Sequence, residues 1–146
     1  AEAPRPAGLE VVEADTPELL ERYGCIGWAA VGLERVGIAI ARRARSLGFV
    51  PLLGLHQGRP CASSLAVVGP GRGPAEATVV GVCNVAVEPD LRRRGIGSFM
   101  TAAALAAGRT RGATIGYLRA RPGAARLYRR LGFVGAYDYL LLRSPA

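Results

Sequence analysis

The sequence predicts a single-domain α/β fold, and three observations predict it. Strand-like and helix-like patterns alternate along most of the chain. One valine-rich run, residues 78–87 (TVVGVCNVAV), is apolar enough to be a strand covered by helices on both faces. A length of 146 residues suits one domain with a core of its own.

The elements follow in order. Residues 1–8 (AEAPRPAG) read as a disordered lead. Leu9 to Ala14 alternates well enough for a first strand. Asp15-Thr16-Pro17-Glu18 then starts a helix, with a capping side chain ahead of a proline in the first turn. A second helix is expected from Leu33 to Leu47, where Leu33, Val36, Ile40, Ala44 and Leu47 make a stripe and Arg35, Arg42, Arg43 and Arg45 face solvent. Val50 to Leu55 and Pro60 to Val68 read as a hairpin turned by Gln57-Gly58-Arg59. Residues 69–76 (GPGRGPAE) are too rich in Gly and Pro to be regular and lead into the strand 78–87. A helix begins near Ile96, a short strand covers Thr114 to Ala120, another helix follows, and a last strand is expected from Tyr137 to Arg143.

The stretch after residue 87 carries the chemistry. Pro89 ends the strand, and Arg92-Arg93-Arg94-Gly95-Ile96-Gly97-Ser98 forms a basic, glycine-bearing turn into a helix. Gly95 and Gly97 let backbone N–H groups approach an anion, and the helix start adds unpaired N–H groups and the positive end of its dipole. Glycine-rich turns have several uses, so spacing decides. A dinucleotide fingerprint wants G-x-G-x-x-G and an acidic residue on a following strand; a Walker loop needs Gly-Lys-Ser/Thr, and this chain has no lysine.

The order R-x-x-G-x-G instead resembles the acetyl-CoA pyrophosphate loop of the GNAT superfamily of acyltransferases, Gln/Arg-x-x-Gly-x-Gly/Ala after a strand. A second, independent match stands downstream: Ala124-Ala125-Arg126-Leu127-Tyr128-Arg129-Arg130-Leu131-Gly132-Phe133 is similar to the family's A-x-x-L-Y-x-x-x-G-F signature. Its own pattern agrees. Ala124, Leu127, Tyr128 and Leu131 share one helix face, Arg126, Arg129 and Arg130 the other, and Gly132 stops the helix. The resemblance is specific over the second half of the chain and architectural over the first.

That resemblance implies a single GNAT domain over residues 9–146, a mixed central sheet of six to seven strands with helices on both faces. It implies acetyl-CoA as co-substrate and a primary amine, small molecule or peptide, as acceptor. Backbone groups of Val85, Ala86 and Val87 would lie along the pantetheine arm, with the Val85 N–H on the thioester oxygen. Residues Arg92 to Ser98 would take the pyrophosphate; Ser98 is either a cap or a phosphate donor. Tyr128 matches the family's tyrosine and would protonate the departing thiolate. Its spacing alone would make it a packed core residue. For a general base the sequence offers Glu21, Glu34, Glu76, Glu88 and Asp90 without choosing. Arg121 stands where many members carry Asn, which puts a pantetheine contact in doubt and keeps a non-catalytic CoA-binding or tandem-partner domain as the alternative.

Composition bounds the rest. Net charge is +8 and all 19 basic residues are arginine, so a nucleic-acid-binding protein is a third reading; few aromatics accompany the arginines and no nucleic-acid module is recognisable. No apolar run reaches membrane-span length and no signal-peptide pattern opens the chain. These features predict a soluble, cytoplasmic protein without nucleic acid or membrane as partner, and they leave a homodimer open. Cys25, Cys61 and Cys83 suit neither a zinc site nor a disulfide framework and read as buried thiols. The sole histidine, His56, reads as a polar strand-end residue, so no metal is expected.

Overall fold

A computed structural model describes residues 2–28, 43, 47–70 and 78–138. Five strands form one sheet in the order β1 (Leu9–Glu13), β2 (Phe49–His56), β3 (Arg59–Pro70), β4 (Thr78–Val87) and β5 (Ile115–Leu118). The first three pairings are antiparallel and β4–β5 is parallel, so the sheet is mixed. Three helices with bounds among the described residues accompany it: α1 (Pro17–Gly27), α2 (Ile96–Arg109) and α3 (Ala125–Arg130). Five strands stand among the described residues, against the six to seven expected. The expected last strand lies outside them except for Tyr137 and Asp138, and so does nearly all of the expected helix 33–47.

Local chemistry sets the element boundaries. Thr16 caps α1, its hydroxyl accepting from the Leu19 N–H at 3.3 Å, with Pro17 in the first turn. In the β2–β3 turn Gln57 and Gly58 both have positive φ, 52° and 77°, as a two-residue turn with right-handed strand twist requires. His56 therefore pairs with Arg59 inside the ladder, and the expected three-residue turn is two residues long. β3 also runs further than expected, through Gly69 and Pro70, which still pair with Val79 and Thr78. The expected lead is tied down from Arg5 onward. The Arg5 Nε donates to the Leu9 carbonyl at 2.6 Å, the Leu9 N–H to Pro6 at 3.2 Å, and the Gln57 N–H to Gly8 at 3.2 Å.

Helices cover both faces. On one, Met100, Ala104 and Leu105 of α2 pack with Val80, Val82, Ala62, Ala66, Val50 and Leu52. The other carries Tyr23 of α1 with Leu53, Leu65 and Ala14. Close approach of α2 to β4 needs Gly108, since a Cβ there would stand 2.5 Å from the Val80 Cβ. The three cysteines are free, but only Cys61 is buried. Cys25 lies on the solvent side of α1 and Cys83 on the α1-side face of β4 where that helix leaves it open, so two of the three expected burials are corrected.

Candidate active site

Two interruptions of the sheet meet at the C-terminal end of β4. The β4–β5 ladder pairs Val79–Ile115 through Val82–Leu118 and stops there, so residues 83–87 have no β5 partner. The β3–β4 ladder meanwhile slips by one residue between Ser63 and Leu65, leaving Asn84 and Val85 together opposite Ser64. Asn84 has φ 50°, the left-handed region, as one residue of such a bulge often does. A bulge of this kind bends its strand and ends pairing, which is what β4 does toward β5.

Alternation then fixes which backbone groups are open. The Glu88 N–H donates to the Cys61 carbonyl of β3 at 2.9 Å. In a regular antiparallel ladder Ala86 therefore also faces β3 and Val87 presents its N–H and C=O groups to the open edge, while Val85 stands in the bulge itself. The Val87 carbonyl is already used, accepting from the Arg92 Nε at 2.9 Å. Of the three residues expected along an arm, Val87 keeps an open N–H, Ala86 turns toward β3, and Val85 lies at the bulge.

The loop after β4 folds back as a short 3₁₀ turn, Pro89–Leu91. Arg93 (φ 65°) and Gly95 (φ 80°) both take left-handed conformations. A Cβ at Gly95 would meet nothing, so its glycine answers to conformation and not to crowding. Gly95 is the N-cap of α2 and no side chain caps the helix. The first helical bond is Phe99 N–H to Gly95 C=O at 3.0 Å, so the N–H groups of Ile96, Gly97 and Ser98 lack intrahelical acceptors. Ile96 is itself buried and anchors the turn; only its backbone can face a ligand. Arg92, Arg93 and Arg94 are exposed around these donors, and Ser98 is half-buried among them. Basic residues beside unpaired N–H groups at a helix start suit an anion.

α3 closes the corner. A Cβ on Gly97 would lie 3.6 Å from the Leu127 Cδ1 and 3.8 Å from the Val87 Cγ2, so loop, strand end and α3 converge there. Tyr128, next along α3, is half-buried, its ring packed edge-on to Phe133 at 6.1 Å and 76°. Burial raises its pKa, so the phenol keeps its proton through the neutral range. The stripe expected of this helix is present: Ala124, Leu127 and Tyr128 are half-buried and Leu131 buried, while Arg126, Arg129 and Arg130 are exposed. Gly132 follows at φ 86°. Arg121 is the exposed N-cap of the 3₁₀ turn Pro122–Ala124 that precedes α3.

Acidic side chains near the site are peripheral. Glu88 and Asp90 stand at the strand end beside the basic loop, and Glu21 is exposed on α1; Glu34 and Glu76 lie outside the described residues. His56 sits beside the β2–β3 turn, at the same end of the sheet as the C-terminus of β4 but two strands away, where it pairs with Arg59. Sequence reasoning missed Asn84, Ser63 and Tyr23, a polar group on the α1 side of the bulge. Its one visible signal was an asparagine in the middle of an otherwise apolar strand, since Asn is among the few residues that accept a left-handed φ.

Known proteins share this fold. Residues 56–135, more than half of the chain, match the family model of the acetyltransferase (GNAT) domain. No curated protein sequence is a significant match. Among solved structures, an acetyltransferase of Trypanosoma brucei is similar at 22% identity and TM-score 0.78, covering 93% of this chain and 99% of its own. AAC(6')-Iy in complex with the bisubstrate analogue CoA-S-monomethyl-acetylneamine matches at 15% identity and TM-score 0.78, over 94% and 99%. A predicted acetyltransferase with acetyl-CoA from Clostridium acetobutylicum matches at 14% and 0.75, over 92% and 96%. Identities this low carry the fold alone. Both family motifs, the fold and the domain match point the same way, and the chain belongs to the GNAT acetyltransferase family.

Proposed function

We propose that this protein transfers an acetyl group from acetyl-CoA to a primary amine by direct attack. One observation carries the reading: the open edge of β4 from Cys83 to Val87 leads into the unpaired N–H groups at the start of α2. An extended amide-bearing arm can pair with the first as an added strand, and a pyrophosphate can sit on the second. The residues present therefore fit acetyl-CoA.

In this reading Arg93 and Arg94 offset the phosphate charge while Arg92 holds the strand end through Val87. The Val85 N–H donates to the thioester carbonyl oxygen, and more strongly to the oxyanion that forms when the amine nitrogen adds to the carbonyl carbon. Collapse breaks the C–S bond. Tyr128 gives its proton to the departing sulfur, and the proton lost by the nitrogen goes to water. An amine arriving as the free base needs no side-chain base. The fold is one on which amine acetylation occurs: one neighbour of the same fold is a glucosamine-6-phosphate N-acetyltransferase and another an aminoglycoside acetyltransferase.

The test is a panel of primary amines with acetyl-CoA, following thiol release and acetylated amine together. The expected result is equimolar appearance of both with at least one amine. Tight CoA binding with no thiol release across the panel would leave the non-catalytic CoA-binding domain as the reading.

A further inference from the structure

The β4 bulge is held from the α1 side by side chains with no role in the acetyl-CoA site as described. Ser63, 0% exposed, donates its hydroxyl to the Asn84 carbonyl at 3.0 Å. Tyr23, 1% exposed, brings its phenol up to the same place: a Cβ on Gly27 would lie 3.1 Å from the Ser63 Oγ and 3.6 Å from the Tyr23 Cζ. The Asn84 side chain is near enough to act on the Tyr23 hydroxyl, yet the hydroxyl makes no hydrogen bond of normal geometry. An orphaned buried hydroxyl lowers stability. So does a non-glycine residue in the left-handed region. Two destabilising features in contact, in an otherwise apolar helix–sheet interface, mark a position selected for something other than stability.

We propose that Tyr23 and Ser63 are positioning residues, which hold Asn84 in its left-handed bulge and thereby aim the Val85 N–H at the open edge of β4. The inference rests on the acetyltransferase reading for its consequence in turnover, but the bulge itself can be tested without turnover. Ser63 fixes the Asn84 carbonyl. The Tyr23 hydroxyl stands beside the Asn84 side chain. Neither need touch a substrate; the following N–H is turned as a result.

Three variants test it: Tyr23→Phe, Ser63→Ala and Asn84→Gly. Tyr23→Phe should keep or raise the Tm, since it removes only an orphaned hydroxyl, while kcat falls about ten- to hundredfold and the KM for acetyl-CoA moves less than about twofold. A purely structural tyrosine would lower Tm and leave kcat. Glycine holds a left-handed φ unaided, so adding Tyr23→Phe or Ser63→Ala to Asn84→Gly should cost no further turnover. Independently of any activity, the Asn84 backbone chemical shifts in the free protein should report a left-handed residue and should move toward extended values in Tyr23→Phe and Ser63→Ala. If wild type turns over no amine, these shifts still decide the bulge, and only the enzymatic reading fails. Left-handed shifts retained in both variants, or an undiminished kcat in Tyr23→Phe of a working enzyme, would overturn the proposal.

Discussion

At the scale of single residues, burial and hydrogen bonding separate groups that the motifs alone merge. The three arginines of the loop are one run in sequence, but Arg92 turns its Nε back to the Val87 carbonyl while Arg93 takes a left-handed φ. Tyr128 packs its ring on Phe133, as its spacing alone predicts, and its phenol stays protonated. Tyr128→Phe should therefore preserve packing and acetyl-CoA affinity, and turnover should drop by at least about a hundredfold if thiolate protonation limits the rate. Full turnover across the pH range would return Tyr128 to the core. Tyr23 allows a pH prediction. Burial, its largest influence, pushes the phenol up to about 12 from 10.0, against a smaller lowering by Asn84. The folded state then keeps a proton that the unfolded chain loses, so this contribution is intact below about pH 10 and is lost between about pH 10 and 12. A shift of this size corresponds to on the order of 2 to 3 kcal/mol. Chemical denaturation from pH 8 to 11 should show stability falling more steeply in wild type than in Tyr23→Phe; parallel curves would contradict the burial argument.

Whole elements were legible wherever their causes are local. β4 runs over Thr78–Val87, the residues its apolar run predicts, because ten consecutive residues of one character leave little choice of boundary. Thr16 and Pro17 start α1 by capping chemistry that can be read from four residues. The bulge was not legible, because a ladder slip is a relation between β3 and β4 and neither strand alone contains it. The length of β3 was likewise hidden: its pairing with β4 carries Gly69 and Pro70 into the sheet against their own preferences. The cysteines were misread for a similar reason, since exposure of Cys83 depends on where α1 ends. The contact of α2 with β4 gives a prediction at this scale. Gly108→Ala should gain about 1 kcal/mol of helix propensity, but it drives a Cβ to 2.5 Å from the Val80 Cβ, an atom fixed to its own backbone. Overpacking by a rigid neighbour costs about 1 to 3 kcal/mol and should prevail, lowering the denaturation midpoint, with Val80→Ala restoring much of the loss in the double variant. A midpoint unchanged or raised by Gly108→Ala alone would mean that α2 can lift from the sheet.

For the whole molecule, net charge and fold give different expectations of partners. A charge of +8 attracts any polyanion, yet three of the arginines, Arg92, Arg93 and Arg94, directly precede the unpaired N–H groups of one helix start. Among the described residues no helix is long and apolar enough to cross a membrane. The central claim is that the loop from Arg92 to Ser98 holds the phosphates of acetyl-CoA. Calorimetric titration tests it most directly, with wild type and Gly97→Val against acetyl-CoA and with wild type against duplex DNA. Gly97 is chosen because its first added carbon meets only ordinary contacts with Leu127 and Val87, so the fold should tolerate the change while the extra methyls crowd the corner where loop, strand and helix converge. The account predicts saturable one-to-one binding of acetyl-CoA by wild type, at least about tenfold weaker binding by Gly97→Val at similar Tm, and no comparable heat from DNA. Equal acetyl-CoA affinity in the two proteins, or saturable DNA binding with none for acetyl-CoA, would contradict it.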